Sequence, residues 1–144
     1  MIFETTIEVR WSDIDQNRHV RHSAYYDYGA HTRIRFFVEN NFGSDKMAQY
    51  RIGPIIFKEE CTFLKELTLN DTIRVNVLKG EYSDDFRKWT LHHEIFNQKN
   101  EKCAHLTLNG AWMDLVKRKL TIPPKELQEL MASLDDGEHF VYKK

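Results

Sequence analysis

Cysteine is scarce in this chain: Cys61 and Cys103 are the only two in 144 residues, and no CxxC pair occurs. A disulfide framework or a Cys-based zinc site is thereby excluded as the organising element, and two thiols in apolar alternating segments fit reduced, packed side chains and a cytoplasmic setting. Three prolines and six glycines are too few for a linker-rich or low-complexity chain, and no internal repeat is visible. Nowhere does an apolar run approach the ~18 residues needed to cross a bilayer. The first six residues lack a basic start followed by an apolar stretch, so neither a membrane segment nor a secretory signal is expected. Net charge is also missing. Lys and Arg number 21 against 22 Asp and Glu, for a balance of −1, which leaves no broad positive field for nucleic acid. The one basic run, Lys117-Arg118-Lys119, reads as the solvated end of a hairpin.

What is present suffices for a globular protein. Hydrophobic residues make up 41% and charged residues 30%, with nine Phe, six Tyr and three Trp. A chain of this length buries about two thirds of its unfolded surface, enough for one core. The expectation is a single domain over residues 1–144, with a polar tail at about 135–144 that carries Phe140 and Tyr142 as a loose end or partner contact.

Periodicity divides the chain. Phe3, Ile7, Val9 and Trp11 alternate with Glu4, Glu8 and Arg10, predicting a half-buried strand over residues 3–11. Tyr26, Ala30, Ile34, Phe37 and Val38 recur at spacings of three and four, predicting a long helix over 23–40 whose apolar stripe seeks a sheet. Ser23, or His22 before it, starts this helix, and Asn40-Asn41-Phe42-Gly43 ends it. Strands follow at 53–65, 72–79, 86–97 and 101–116 without another long helix. The turn signals between them, Asn70-Asp71, Ser83-Asp84-Asp85 and Gln98-Lys99-Asn100, suit antiparallel hairpins. Beyond Pro123-Pro124, the residues Leu127, Leu130, Met131 and Leu134 predict a short helix packed against an edge.

One long helix and about five mostly antiparallel strands form an α+β arrangement in which the helix is covered by the sheet. Such a sheet leaves an edge strand and some apolar surface open. A second copy would cover both, so a homodimer or homotetramer is expected.

Chemistry concentrates in Trp11-Ser12-Asp13-Ile14-Asp15-Gln16-Asn17-Arg18-His19-Val20-Arg21-His22-Ser23-Ala24-Tyr25-Tyr26. Here a strand ends in acidic residues and a polar loop opens the long helix. The start of a helix offers unpaired backbone N–H groups and about half a unit of positive charge, so an oxyanion formed beside a carboxylate is stabilised there. This juxtaposition suits acyl transfer.

The same residues resemble the 4-hydroxybenzoyl-CoA thioesterase group of hotdog-fold acyl-CoA thioesterases. In that family a strand runs into a D-x-D-x-x-G-H-V-N-N-x-x-Y type segment, matched here by Asp13 to Tyr25. Gly53-Pro54-Ile55-Ile56-Phe57-Lys58-Glu59-Glu60-Cys61-Thr62-Phe63-Leu64, Asn70-Asp71-Thr72-Ile73, residues 104–114 and residues 120–123 are similar to its later strands and closing element. The departure is Arg18-His19-Val20-Arg21-His22 in place of Gly-His-Val-Asn-Asn. The missing glycine bears on the loop, where Asn17 tolerates a left-handed backbone, and Arg21 and His22 narrow or recharge the acyl pocket.

The resemblance implies a hotdog fold, one long central helix wrapped by the sheet plus a short C-terminal helix. It also implies hydrolysis of an acyl-CoA to free acid and CoA. Asp15 takes the place of the catalytic acid, as base toward water or as nucleophile, and the backbone N–H of His22 takes that of the oxyanion donor. His19 stands where the family has a loop histidine. Ser23, Tyr25, Tyr26 and Glu60 are the candidate substrate-binding residues, with coenzyme A entering only as part of substrate and product and no separate cofactor. Read by themselves, Asp15 is a loop or capping aspartate, Asp13 a residue that orients the loop, the two tyrosines core aromatics and Glu60 a solvated strand residue. No metal is expected, since His22 and His31, nine positions apart on the helix, face different ways, and His92 and His93 point to opposite faces of a strand. Two rivals remain at this level: a hotdog dehydratase or hydratase acting on acyl thioesters, and a non-catalytic acyl-CoA-binding module.

Overall fold

A computed structural model describes residues 1–137. The alternating segments become β1 (Phe3–Glu8), β2 (Ile52–Phe63), β3 (Thr72–Tyr82), β4 (Lys88–Phe96), β5 (Lys102–Asp114) and the two-residue β6 (Lys119–Leu120). All pair antiparallel in one sheet of spatial order β1-β3-β4-β5-β2, with β6 on β5. The helices are α1 (His22–Glu39), α2 (Ser44–Tyr50) and α3 (Lys125–Ala132). The expected hotdog arrangement is the one observed, a long helix held by a curled antiparallel sheet.

The first strand is shorter than its alternation predicts. Val9 is buried, but the chain leaves the sheet at Glu8 and turns through a 3-10 segment, Trp11–Asp13, which leaves Trp11 82% exposed. Asp13 causes the turn: its carboxylate accepts the backbone N–H of Arg10 at 3.1 Å, a local bond that competes with continuing the ladder.

The helix also rotates relative to expectation. Its buried side is Ala24, Tyr25, Tyr28, Gly29, Thr32, Phe36 and Phe37, whereas Ile34 and Val38 are exposed. Small residues explain this choice. A Cβ at Gly29 would stand 3.0 Å from the His93 ring, so α1 approaches β4 more closely there than a larger residue allows. The more strongly apolar flank, with Ala30, Ile34 and Val38, instead faces the gap toward β2.

Two buried clusters fill the space between helix and sheet. One gathers Val9, Val20, Tyr25, Tyr28, Ile73, Val75, Ile95 and Leu106 around the start of α1. The other joins Phe36, Phe37, Phe42, Trp89, Leu91 and Trp112 to Leu127, Met131 and Leu134. The C-terminal helix therefore plugs the core rather than an edge: Trp112 Nε1 donates to Met131 Sδ at 3.3 Å. Gly110 has a packing role, since a Cβ there would lie 2.4 Å from the Trp89 indole. The short α2 has no counterpart in the sequence reading. Its residues carry too little apolar periodicity to announce it.

Residues 135–137 are pinned rather than loose. Lys79 donates its backbone N–H to the Asp135 carbonyl at 3.0 Å, Gly137 donates to the Lys79 carbonyl at 2.8 Å, and Asp135 donates to the carbonyl of Met1 at 2.9 Å. The remainder of the expected tail, with Phe140 and Tyr142, lies outside the described residues.

Candidate active site

The loop between β1 and α1 is built on two aspartates with different surroundings. Asp13 is 1% exposed. Its carboxylate accepts the Tyr28 hydroxyl at 2.8 Å, the Arg10 backbone N–H at 3.1 Å and the Arg10 guanidinium at 3.4 Å. Burial pushes its pKa up, but these three donors outweigh burial and hold it below the usual carboxylate value. The Asp13 carbonyl also accepts the Arg21 backbone N–H at 2.7 Å, placing Arg21 at the mouth of α1. The Arg10 contacts shape the turn, and those to Tyr28 and Arg21 fix it against the helix.

Asp15 lies on the outside of that turn and is exposed. Its Oδ1 accepts the backbone N–H groups of Asn17 at 2.8 Å and His19 at 3.3 Å, and its main chain closes the loop through Asp15 N–H to the His19 carbonyl at 2.9 Å. Oδ2 has no partner among the described residues. The turn requires one left-handed residue, and Arg18 supplies it, with φ of 65°. Asn17, the residue whose type suits that conformation, does not take it. The family's glycine position thus keeps its backbone shape although a side chain has been added.

Asp15, His19, Val20, His22 and Tyr25 line one cavity of about 310 Å³ together with Phe63, Leu64, Lys65 and Glu66 from the end of β2 and beyond. His22 is the first residue of α1, so its N–H and that of Ser23 precede the first intrahelical bond and remain available to an acceptor. Tyr25 forms the apolar wall. Its ring meets Phe63 edge-on at 4.9 Å, and burial pushes its phenol up to about 12. His19 Nε2 lies 3.0 Å from Glu66 Oε2 on the rim. A carboxylate oxygen, a helix start and an apolar wall thus meet at one opening, the set of parts that nucleophilic attack on a bound carbonyl uses.

The other candidates are placed differently. Ser23 Oγ accepts the Arg21 guanidinium at 2.6 Å, and Tyr26 lies against Cys61 and Glu59 of β2, where burial pushes its phenol up. Glu60 does not join the site. It is opposite Thr107 in the β2–β5 register, on the face where Thr107 meets His92, and its carboxylate lies 3.8 Å from Lys58 Nζ in the open. Its neighbours Glu59 and Cys61 are the ones turned toward α1. Burial pushes the Cys61 thiol up to about 12, which removes it as a nucleophile at neutral pH.

A second cavity, of about 380 Å³, opens between α1 and the start of β2 and is almost wholly apolar, with Ile34, Phe37, Met47, Ile56 and Leu91 in its lining. Arg33 and Trp89 also line it, and the sequence reading had named neither. The available signal was a single charge, Arg33, set into the helix's apolar flank between Ala30 and Ile34. Arg33 donates to His93 Nε2 at 2.9 Å, and its guanidinium lies 3.7 Å from Glu59 Oε2. His93 can accept there because its Nδ1 faces the Asn76 carbonyl at 2.6 Å and therefore carries the proton. Complete burial, with Arg33 adjacent, pushes the His93 pKa down to about 3, so the imidazole is neutral. Among the described residues, no group of three or more metal-ligating side chains is assembled.

The family described as the thioesterase-like superfamily matches residues 9–131. No curated protein matches the chain in sequence. Among solved structures, a hypothetical protein from Staphylococcus aureus in complex with CoA superposes with a TM-score of 0.87 at 17% identity, covering 98% of this chain and 90% of its own. A 1,4-dihydroxy-2-naphthoyl-CoA thioesterase from Synechocystis gives 0.83 at 14% identity, covering 95% and 100%. A DHNA-CoA thioesterase from Staphylococcus aureus gives 0.81 at 17%, covering 91% and 89%. At these identities the likenesses establish a shared fold.

Proposed function

The chain belongs to the thioesterase-like superfamily, and from that premise we propose that it hydrolyses an acyl-CoA thioester to the free acid and CoA, with Asp15 as the reacting carboxylate. One observation carries this reading: the unpartnered Oδ2 of Asp15 and the open first turn of α1 border the same cavity. Oδ1, held by two backbone N–H groups, fixes the carboxylate's orientation. Oδ2 then removes a proton from water as the water oxygen attacks the thioester carbon, or attacks that carbon itself to give, once CoA has left, a mixed anhydride that water hydrolyses to the free acid and the restored carboxylate. In either route the carbonyl oxygen gains charge and is met by the His22 N–H, with Ser23 beside it. Collapse of the tetrahedral intermediate breaks the C–S bond, and CoA leaves as a thiolate that needs little protonation. The loss of one such N–H donor typically lowers transition-state stabilisation by about 2.7–4 kcal/mol. Tyr25 lines the acyl side, and Tyr26 lies next to it against Cys61 and Glu59 of β2.

We place the protein in a homo-oligomer on the strength of β2. This twelve-residue edge strand leaves Ile56, Phe57 and Phe63 exposed, with Leu64 exposed just beyond it, and an unpaired apolar edge of that kind is normally covered. Pairing with a second β2 would cover it and deepen both cavities.

Release of CoA thiol from a panel of acyl-CoAs, compared between the parent and Asp15→Asn, tests the activity. The expected loss in kcat/KM is at least ~100-fold with the fold intact; a folded Asp15→Asn variant as fast as the parent removes Asp15 from the chemistry. The rival reading, hydration of an enoyl thioester, draws on the His19–Glu66 pair at the rim. Loss of enoyl absorbance without thiol release would establish it instead.

A further inference from the structure

The cavity between α1 and β2 is mostly apolar, and of its polar lining residues, Arg33, Ser44 and Trp89, two carry hydrogen-bond donors that the fold leaves underused. Arg33 carries five N–H donors, yet among the described residues its one hydrogen bond goes to His93 Nε2, and Glu59 at 3.7 Å is beyond hydrogen-bond reach. The indole N–H of Trp89 is buried with no acceptor among the described residues. Buried donors of this kind are normally satisfied, and one that is not calls for a partner that arrives from outside. The fixed tautomer of His93, with Nδ1 facing the Asn76 carbonyl, holds Arg33 in place by using Nε2 as an acceptor.

Charge narrows the class of partner. Burial alone would push Arg33 toward losing its proton, and Glu59 opposes this, so the pair is close to neutral with His93 uncharged. A ligand carboxylate placed there would face Glu59 across the guanidinium and add one uncompensated negative charge beside a largely buried ion pair. A neutral oxygen would accept from the donors without that penalty.

We propose that this cavity selects acyl groups that are apolar along their length and carry one neutral hydrogen-bond acceptor, such as a hydroxyl oxygen, away from the thioester. Arg33 is the specificity-determining residue, and Glu59 is the group that turns away a terminal carboxylate. The identification of the occupant as an acyl group rests on the thioesterase reading; the preference for a neutral acceptor rests on the cavity.

The test compares hexanoyl-, octanoyl-, decanoyl- and dodecanoyl-CoA with their ω-hydroxy and ω-carboxy counterparts. Parent, Arg33→Met and Glu59→Gln proteins are assayed by thiol release, and each free acid is titrated calorimetrically into the corresponding Asp15→Asn protein. At the chain length that reaches Arg33, the parent is expected to favour the ω-hydroxy compound over the plain acyl compound about tenfold or more, in kcat/KM and in affinity. Arg33→Met should erase that preference. Glu59→Gln should raise the ω-carboxy compound at least to the level of the ω-hydroxy one. If no substrate is hydrolysed but the binding preferences hold, the thioesterase reading fails and this inference stands. Equal treatment of plain and ω-hydroxy ligands by the parent at every length overturns it. Should Arg33→Met fail to fold, Glu59→Gln decides alone: no gain for the ω-carboxy series overturns the proposal.

Discussion

Tyr28 Oη donates a 2.8 Å hydrogen bond to Asp13 Oδ2, tying the second turn of α1 to the loop that presents Asp15. Both groups are buried, and the bond pushes the tyrosine pKa further up while drawing the aspartate's down. Tyr28→Phe removes a donor to a buried carboxylate, and the expected loss of stability is about 1.5–3 kcal/mol, read from urea unfolding. Because the folded pKa of Asp13 is depressed, its contribution is complete above the unfolded value near 3.9. It is lost as the pH falls through the lower folded value. Asp13→Asn should therefore be clearly less stable than the parent at pH 7, with the gap closing in acid. A gap that stays constant into acid would show that Asp13 is not ionised in the folded protein.

Arg18 at φ of 65° occupies a left-handed conformation that disfavours a Cβ by roughly 1–2 kcal/mol. Glycine relieves this, but its freer unfolded chain takes back about 0.4–1 kcal/mol. Arg18→Gly is thus expected to stabilise the protein by up to about 1 kcal/mol with little change in kcat. A clear loss of stability in urea titration would mean that the Arg18 side chain makes contacts that outweigh the backbone strain.

Acid should destabilise the fold well before the carboxylates titrate. Burial is the leading cause of the low pKa values of His93, pushed down to about 3, and His105, pushed down to about 4. Each is neutral in the folded protein while its unfolded counterpart takes up a proton below about 6.5. The unfolded state therefore binds more protons between pH 6.5 and the folded values, and stability falls as pH is lowered through that window, on the order of 1 kcal/mol per pH unit for each histidine. Unfolding free energies at pH 7, 6 and 5 measure the slope. His93→Gln should flatten it by about half, and an unchanged slope would mean that His93 is not the buried neutral group described.

The strands and the long helix were legible because each rests on local chemistry: alternation gives strands, and a polar loop before a helical stripe gives a helix start. Which side of the helix would be buried was not. Ile34 and Val38 looked like core by hydrophobicity, yet Gly29 and Thr32 face the sheet because close packing rewards small residues over apolar ones. Asp15, His19, His22 and Tyr25 were singled out through the resemblance to one family motif, and they do share a cavity. Glu60 was misplaced by one position: in a strand, a shift of one residue reverses the face, and Glu59 is the carboxylate that turns inward. Arg33, Glu59, His93 and Trp89 lie on three elements far apart in sequence, so their meeting becomes visible only once α1 is laid across β2 and β4.

The proposed oligomer forms through β2, and a charge placed there should separate assembly from folding. Phe57 is 61% exposed and sits at the register shift between Ile56 and Lys58, so it contributes little to the core of its own chain. Phe57→Lys buries nothing and breaks no ladder pairing within the chain, and surface changes of this type usually shift stability by less than about 0.5 kcal/mol. In a β2-to-β2 pair related by a two-fold axis, the same change enters the interface twice, and lysine on an edge strand is a residue that opposes strand pairing. Sedimentation of the parent is expected to give a dimer or tetramer, and that of Phe57→Lys a smaller species with an unchanged circular dichroism spectrum. If both cavities are deepened by the second copy, kcat/KM should fall with dissociation and recover as protein concentration drives reassociation. A Phe57→Lys protein that keeps the parent's assembly at all concentrations would place the contact on a different surface.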